Sequence, residues 1–268
     1  PWPGTVAAIA CLLPVLLGFI IPTAHLAQLA LGAGMRFDDQ RFLREAVNSL
    51  TLAAIAAGII VVLSLFLSYA GRLIRRRALN RTIEFISLGY AIPGAVIAVG
   101  VLLPLAWTDH LIDRISRALF DMPTGLLLSG TAVALLLAYT VRFLAVGLAN
   151  IAPGLVAIDP AMDASARILG ARPSQVLRHI HLSMLRGPAL TAGVIAFVEV
   201  LKELPATLLI RPFNFDTLAV GVYRFASDER LAEAAVGAIV IVAVSLAPVI
   251  LLSRAIAARR PTSSPPGP

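Results

Sequence analysis

Thr51-Leu52-Ala53-Ala54-Ile55-Ala56-Ala57-Gly58-Ile59-Ile60-Val61-Val62-Leu63-Ser64-Leu65-Phe66-Leu67-Ser68-Tyr69-Ala70 carries no charged residue. A bilayer core about 30 Å thick is crossed by roughly 20 apolar residues in a helix that rises 1.5 Å per residue. The run is continuously apolar rather than alternating, so it reads as a helix that satisfies its own backbone and not as a barrel strand. Five further stretches share this character, giving candidate spans at 5–31, 46–70, 83–105, 125–149, 188–210 and 234–253. Composition agrees: 59% of the 268 residues are hydrophobic and 14% charged, against about 25% charged in a soluble domain. The fold class is all-α and integral to a membrane, with six transmembrane helices in one domain over 1–260.

The charges between the spans predict an orientation. Segments 71–82, 150–187 and 254–268 hold twelve arginines, whereas 32–45, 106–124 and 211–233 hold eight among ten carboxylates. Lys and Arg accumulate on the cytoplasmic side, which predicts that both termini and the 150–187 insert are cytoplasmic. A formal net charge of +7 then reflects contact with anionic lipid. No aromatic–basic interleaving points to nucleic acid. Cys11 stands alone, and His25, His110, His179 and His181 are scattered without ligand spacing, so no disulfide framework, metal site or cofactor is expected. The first span lacks a basic leader and is too long for a secretory signal, and Pro1 in place of Met points to a piece of a longer polypeptide. The amphipathic 106–124 segment predicts a short helix along the outer interface. The Pro- and Ser-rich tail 261–268 is expected to be disordered.

The polar insert between the fourth and fifth spans has helix signals of its own. Asp159 is a good N-cap and Pro160 a good first helical residue. Met162, Ala166 and Leu169 follow at helical spacing, Asp163 complements the helix dipole in the first turn, and Gly170 offers a left-handed stop. A second start at Arg172-Pro173-Ser174 leads into Val176, Leu177, Ile180, Leu182 and Leu185. Two short helices meeting at Gly170-Ala171 are predicted.

The spacing Ala164-Ser165-Ala166, then Gly170, then Ile180 and Leu182 resembles the EAA loop of permease subunits of ABC transporters, the binding-protein-dependent importers. The family pattern is Glu-Ala-Ala, three residues, Gly, nine residues, Ile-x-Leu-Pro. Here Ala164 stands at the Glu, with Asp163 one position early, and Ser183 stands at the Pro. The resemblance implies a type I importer permease in the bacterial inner membrane. It implies a coupling loop over about 155–187 that inserts into an ABC ATPase subunit. A second six-helix permease unit, fused or separate, and a periplasmic substrate-binding protein follow as partners. Asp163, Ala164, Ser165, Ala166, Gly170, Ile180 and Leu182 are the coupling residues it implies. The chain contains no Gly-x-x-x-x-Gly-Lys-Ser/Thr phosphate loop, and Lys202 is its single lysine. ATP hydrolysis is therefore expected from a partner, and the chain itself is not expected to be an enzyme.

The fifth span carries Glu199, Lys202 and Glu203 before Pro205. Offsets of three and four put the three charges on one helical face. Each costs about 2.5–3.5 kcal/mol at a helix centre, so they are expected to face the bundle interior or an aqueous path. Two readings stand: a lining or gate of the translocation path, including Pro205, or an ion-pair brace between helices. Arg142 in the fourth span either snorkels to the interface or pairs with Glu199 or Glu203. The run Lys202-Glu203-Leu204-Pro205 through Ala219 resembles the carboxy-terminal half of ferric-iron permeases, as do Tyr90-Ala91-Ile92-Pro93-Gly94 and Tyr139-Thr140-Val141-Arg142-Phe143. That resemblance implies ferric iron as cargo, with thiamine or a polyamine-like solute as alternatives within the same subgroup. A proton- or sodium-coupled carrier using the fifth-span charges is the rival class. Asp216, Arg224, Asp228 and Glu229 are candidate docking charges for the binding protein, or simply a solvated loop.

Overall fold

The structure is a computed structural model that describes residues 2–32, 40–74 and 77–257. The tail expected at 261–268 and several of the counted charges, including Arg75, Arg76 and Arg259, lie outside the described residues. Among the described residues every regular element is helical. Helix α1 (Trp2–Val15) runs through a π turn at Leu16–Ile20 into α2 (Ile21–Gly32). The combined stretch Gly4–Gly32 is long and apolar enough to cross a membrane, as are α3 (Gln40–Leu73), α5 (Gly94–Phe120), α6 (Ala132–Val156) and the Leu231–Arg254 stretch of α13 (Leu231–Ala257). A further candidate is a bent pair, Pro173–Met184 followed by Arg186–Leu201 at 70°, which contains the apolar helix of the fifth span.

The contacts group into two units. The larger comprises residues 50–214 with 245–268 and is organised around α6, which packs against α5, α4 (Arg77–Ser87) and α10 (Arg186–Leu201). Leu135, Tyr139, Phe143 and Ile151 of α6 are fully buried. Small residues let backbones approach closely there, as in other membrane bundles. A Cβ at Gly147 would fall on Ser64, and one at Gly89 would lie 2.6 Å from the Val141 carbonyl oxygen. The smaller unit comprises residues 1–49 with 215–244. It packs Ala30, Ala235 and Val236 beneath Leu26, Leu29 and Phe42. Its polar side joins Glu45 to Arg224 at 3.0 Å and Arg224 to Asp216 at 2.9 Å.

Three boundaries differ from the sequence expectation, each for a local reason. The third span was expected at 83–105, yet the long helix starts at Gly94. Ile92 precedes a proline and is extended, with φ −81° and ψ 134°, so the helix cannot run through this point. Residues 83–87 belong to the separate α4. The 106–124 segment is not a separate interfacial helix but the continuation of α5 to Phe120, where Asp121 takes a left-handed φ of 53°. The fourth crossing begins at Ala132 rather than 125, because Asp109 and Asp113 of α5 hold the preceding loop. The Asp109 carboxylate accepts from the Leu128 and Ser129 backbone N–H groups at 2.9 and 2.8 Å, and Asp113 accepts from Thr124 N at 2.8 Å. Thr131 then caps α6 by accepting from Val133 N.

Candidate functional site

Two groups of residues stand out, and both lie in the larger unit. The first is the polar loop after α6. Asp159 accepts from Ala161 N at 2.8 Å and Pro160 opens α7 (Pro160–Ile168), as its capping chemistry requires. Gly170 has φ +80°, a conformation that a residue with a Cβ adopts only at a cost. The chain reverses there into α8 (Pro173–Val176), a π turn at Leu177–His181 and α9 (Leu182–Met184). Ala164 and Ser165 are exposed on α7, and Ala166 is half-buried. Ile180 is half-buried in the π turn and Leu182 is exposed at the start of α9. At the tip, Ile168 and Leu169 are each 86% exposed, an apolar pair with no cover of its own.

Asp163 behaves differently from its neighbours. It is buried, and each carboxylate oxygen has a partner: Arg72 Nε donates to Oδ2 at 2.8 Å and His181 Nε2 to Oδ1 at 2.7 Å. Burial works to raise its pKa, but the hydrogen bonds from His181 and Arg72 together outweigh it and hold the carboxyl below the usual value. Arg72 and His181 were missed as site residues in the sequence. Arg72 counted only as one of many basic residues flanking a span. His181 lies five residues after buried Val176, which in a regular α-helix would turn it about 140° away. The π turn brings both inward, and a π turn leaves no clear mark in sequence.

The second group is the break in the fifth span. Helix α10 ends at Leu201, and α11 (Pro205–Ile210) starts with Pro205 at its first position. Glu199, Lys202 and Glu203 therefore do not share one helical face, since Lys202 and Glu203 sit in the break itself. Pro205 has no N–H to donate and imposes a helical φ, which suits the first turn of α11 and not the interior of a continuous helix. Lys202 pairs with Glu199 at 2.8 Å and is largely exposed. Glu203, only 6% exposed, takes Arg142 Nη1 at 2.9 Å and Ala206 N at 3.1 Å. Arg142 thus pairs inside the bundle rather than snorkelling. Thr207 donates to the Glu203 carbonyl at 2.7 Å, which leaves its oxygen to accept from the Tyr139 hydroxyl at 2.6 Å. Tyr90 donates to Glu199 at 3.4 Å. Gly94 leaves room for this cluster, because a Cβ there would fall on the ends of the Arg142 and Glu203 side chains and displace them.

Residues 75–260 match the sequence profile of the binding-protein-dependent transport system inner membrane component family. The chain belongs to that family. It is 28% identical over 176 residues to a Salmonella typhimurium protein named as a 2-aminoethylphosphonate transport system permease, covering 65% of this chain and 61% of that protein. It is 26% identical over 220 residues to an Fe(3+)-transport system permease protein of Haemophilus influenzae, covering 81% of this chain and 40% of the relative. The chain thus spans less than two thirds of the length of these curated relatives. Its fold matches a chain from the crystal structure of a bacterial ABC transporter involved in the import of alginate. The TM-score is 0.71 at 16% identity, over 97% of this chain and 96% of that one. A chain of the MetNI methionine ABC transporter matches with a TM-score of 0.57 at 13% identity, over 82% of this chain and 96% of that one. At these identities the likeness establishes the fold, that of an ABC importer permease spanning a membrane several times.

Proposed function

We propose that this family member forms the translocation path of an ABC importer and couples it to ATP hydrolysis in a separate subunit. The observation that carries the reading is the apolar tip Ile168-Leu169 beside left-handed Gly170, fully presented at the end of α7. An exposed apolar tip on an otherwise polar loop is a surface made for a partner. Asp163, Ala164, Ser165, Ala166, Gly170, Ile180 and Leu182 form the coupling loop within 155–187. Residues 1–260 act as one six-span domain in the bacterial inner membrane, with both termini and this loop cytoplasmic. Its partners are ABC ATPase subunits, a second six-helix permease unit, a periplasmic substrate-binding protein and surrounding lipid. The chain contributes no catalysis and takes no cofactor of its own. Glu199, Lys202, Glu203 and Pro205 line or gate the path at the break between α10 and α11.

The cargo is a small solute handed over by the binding protein. Ferric iron is the first reading, supported by the Haemophilus relative. A small phosphonate is the second, supported by the Salmonella relative. Proteoliposomes holding the transporter test both, with uptake of radiolabelled iron and of 2-aminoethylphosphonate followed with and without the ATPase subunit. Uptake that requires the ATPase and ATP is expected. Uptake that follows an imposed proton or sodium gradient and ignores ATP would overturn the importer reading in favour of a secondary carrier.

A further inference from the structure

We propose that Asp163, Arg72 and His181 form a buried transmission joint that carries movement of α7 to α3, so that Asp163 is a positioning residue and not a docking charge. The proposal rests on reading 155–187 as the ATPase-coupling loop. The geometry supplies the rest. Both Asp163 oxygens are engaged inside the protein, by Arg72 and by His181, while the apolar residues at the end of the same helix face outward. A carboxylate so enclosed cannot meet a partner subunit without leaving two donors behind.

Arg72 extends the connection. Its Nη1 donates to the Leu155 carbonyl at 2.6 Å and its Nη2 to the Ile158 carbonyl at 2.9 Å. Leu155 is in the last turn of α6 and Ile158 follows just beyond it, where a helix end carries partial negative charge. One guanidinium therefore ties the end of α3 to both α6 and α7. Tyr69 lies three residues earlier on the same face of α3 and reaches the other arm of the loop. Its hydroxyl donates to the Pro173 carbonyl at 2.8 Å, and its ring meets the His181 ring edge-on with centroids 5.2 Å apart. Both arms of the loop are thus fastened to one turn of α3. A tilt of α7 must either break a buried charge pair or drag α3 with it.

The surroundings leave room for such a movement. Two clefts share Arg72 in their walls, one lined also by Pro160, Asp163 and Arg167 and the other by Ser68, Ile83 and Glu84. His181 Nδ1 and Ser68 Oγ are buried without a hydrogen-bond partner among the described residues. The joint is strong along its ion pairs and loosely packed around them.

The test uses the assembled transporter, with its ATPase, companion permease unit and binding protein, in phospholipid vesicles. Three variants are compared: Asp163→Ala, Arg72→Met, and the two together. Asp163→Ala leaves Arg72 without its carboxylate, Arg72→Met leaves Asp163 with His181 alone, and the double variant removes the ion pair altogether. Complex recovered by size exclusion is expected to fall at least fivefold in each single variant and to return to within twofold of the unaltered protein in the double variant. Cargo moved per ATP hydrolysed is expected to stay at least tenfold low in the double variant. A double variant that assembles and couples normally would reduce the cluster to a structural brace and overturn the proposal. So would single variants that assemble and couple as the unaltered protein does, because the ion pair would then transmit nothing. Failure of the underlying loop reading is seen separately, as ATP-independent uptake by the unaltered chain.

Discussion

Gly94→Ala sets two opposing effects against each other at the charged break. Gly94 has no positive φ that would require glycine, so alanine should stabilise the chain by about 0.4–1 kcal/mol through the unfolded state. Against this, the new Cβ would overlap the Arg142 guanidinium and sit 2.5 Å from Glu203 Oε1. Forcing a methyl group into packed space costs about 1–3 kcal/mol. If the pair separates, Glu203 loses Arg142 and the cost moves towards about 3–5 kcal/mol, the range for breaking a buried ion pair. Sterics win, and the net expectation is a loss of about 1–3 kcal/mol, roughly a fivefold to 150-fold fall in the folded-to-unfolded ratio. A denaturant titration in mixed micelles can follow this through Trp107, which lies on α5 itself. The same substitution in an Arg142→Ala background should cost less than half as much, since the main obstacle has gone. A more stable Gly94→Ala protein, or an equal cost in both backgrounds, would refute the steric account.

Three further outcomes are expected. Gly170→Asp should abolish coupling between ATP hydrolysis and uptake while membrane insertion, read by protease protection, stays intact; the substituted residue must hold a φ of +80° at about 1–2 kcal/mol, and unchanged transport would contradict the loop assignment. Tyr139→Phe should destabilise the protein by about 0.5–1.5 kcal/mol in the same titration, the usual worth of one hydrogen bond, because Thr207 keeps its own bond to the Glu203 carbonyl. The third concerns pH. The Asp163 carboxyl is held below its usual value, so its contribution is complete above the unfolded pKa of about 3.9 and disappears as pH falls through the folded value. Titration of Asp163 should therefore not change the complex recovered between pH 5 and 8, and a loss on acidification within that window that Asp163→Asn removes would contradict the sign.

Much of this architecture is visible in the amino acids, because bilayer chemistry leaves a coarse and strong signal. The apolar runs locate the crossings, and Asp159-Pro160 together with Gly170 mark the start and stop of α7, since capping is a local property. What the runs could not convey was where a continuous apolar stretch stops being one helix. The break after Leu201 and the start at Gly94 depend on prolines whose effect changes with one position of offset. The later start of α6 depends on Asp109 reaching forward to Leu128 and Ser129, a long-range bond with no periodic trace. Arg72 and His181 are separated by more than a hundred residues, and only folding brings them to Asp163. Arg142 shows the same limit: two partners were conceivable along the chain, and packing selects Glu203.

The interruption of the fifth crossing has a consequence for how this chain tolerates hydrocarbon at all. Lys202 occupies the end of α10, where a helix is negative, and Glu203 takes the N–H of Ala206 at the beginning of α11, where a helix is positive. Each formal charge therefore answers the polarity of the half-helix beside it, and each also has an oppositely charged neighbour. The seam thus balances its charge locally, Lys202 with Glu199 and Arg142 with Glu203, so moving either half-helix alone would part an ion pair from the helix end that favours it.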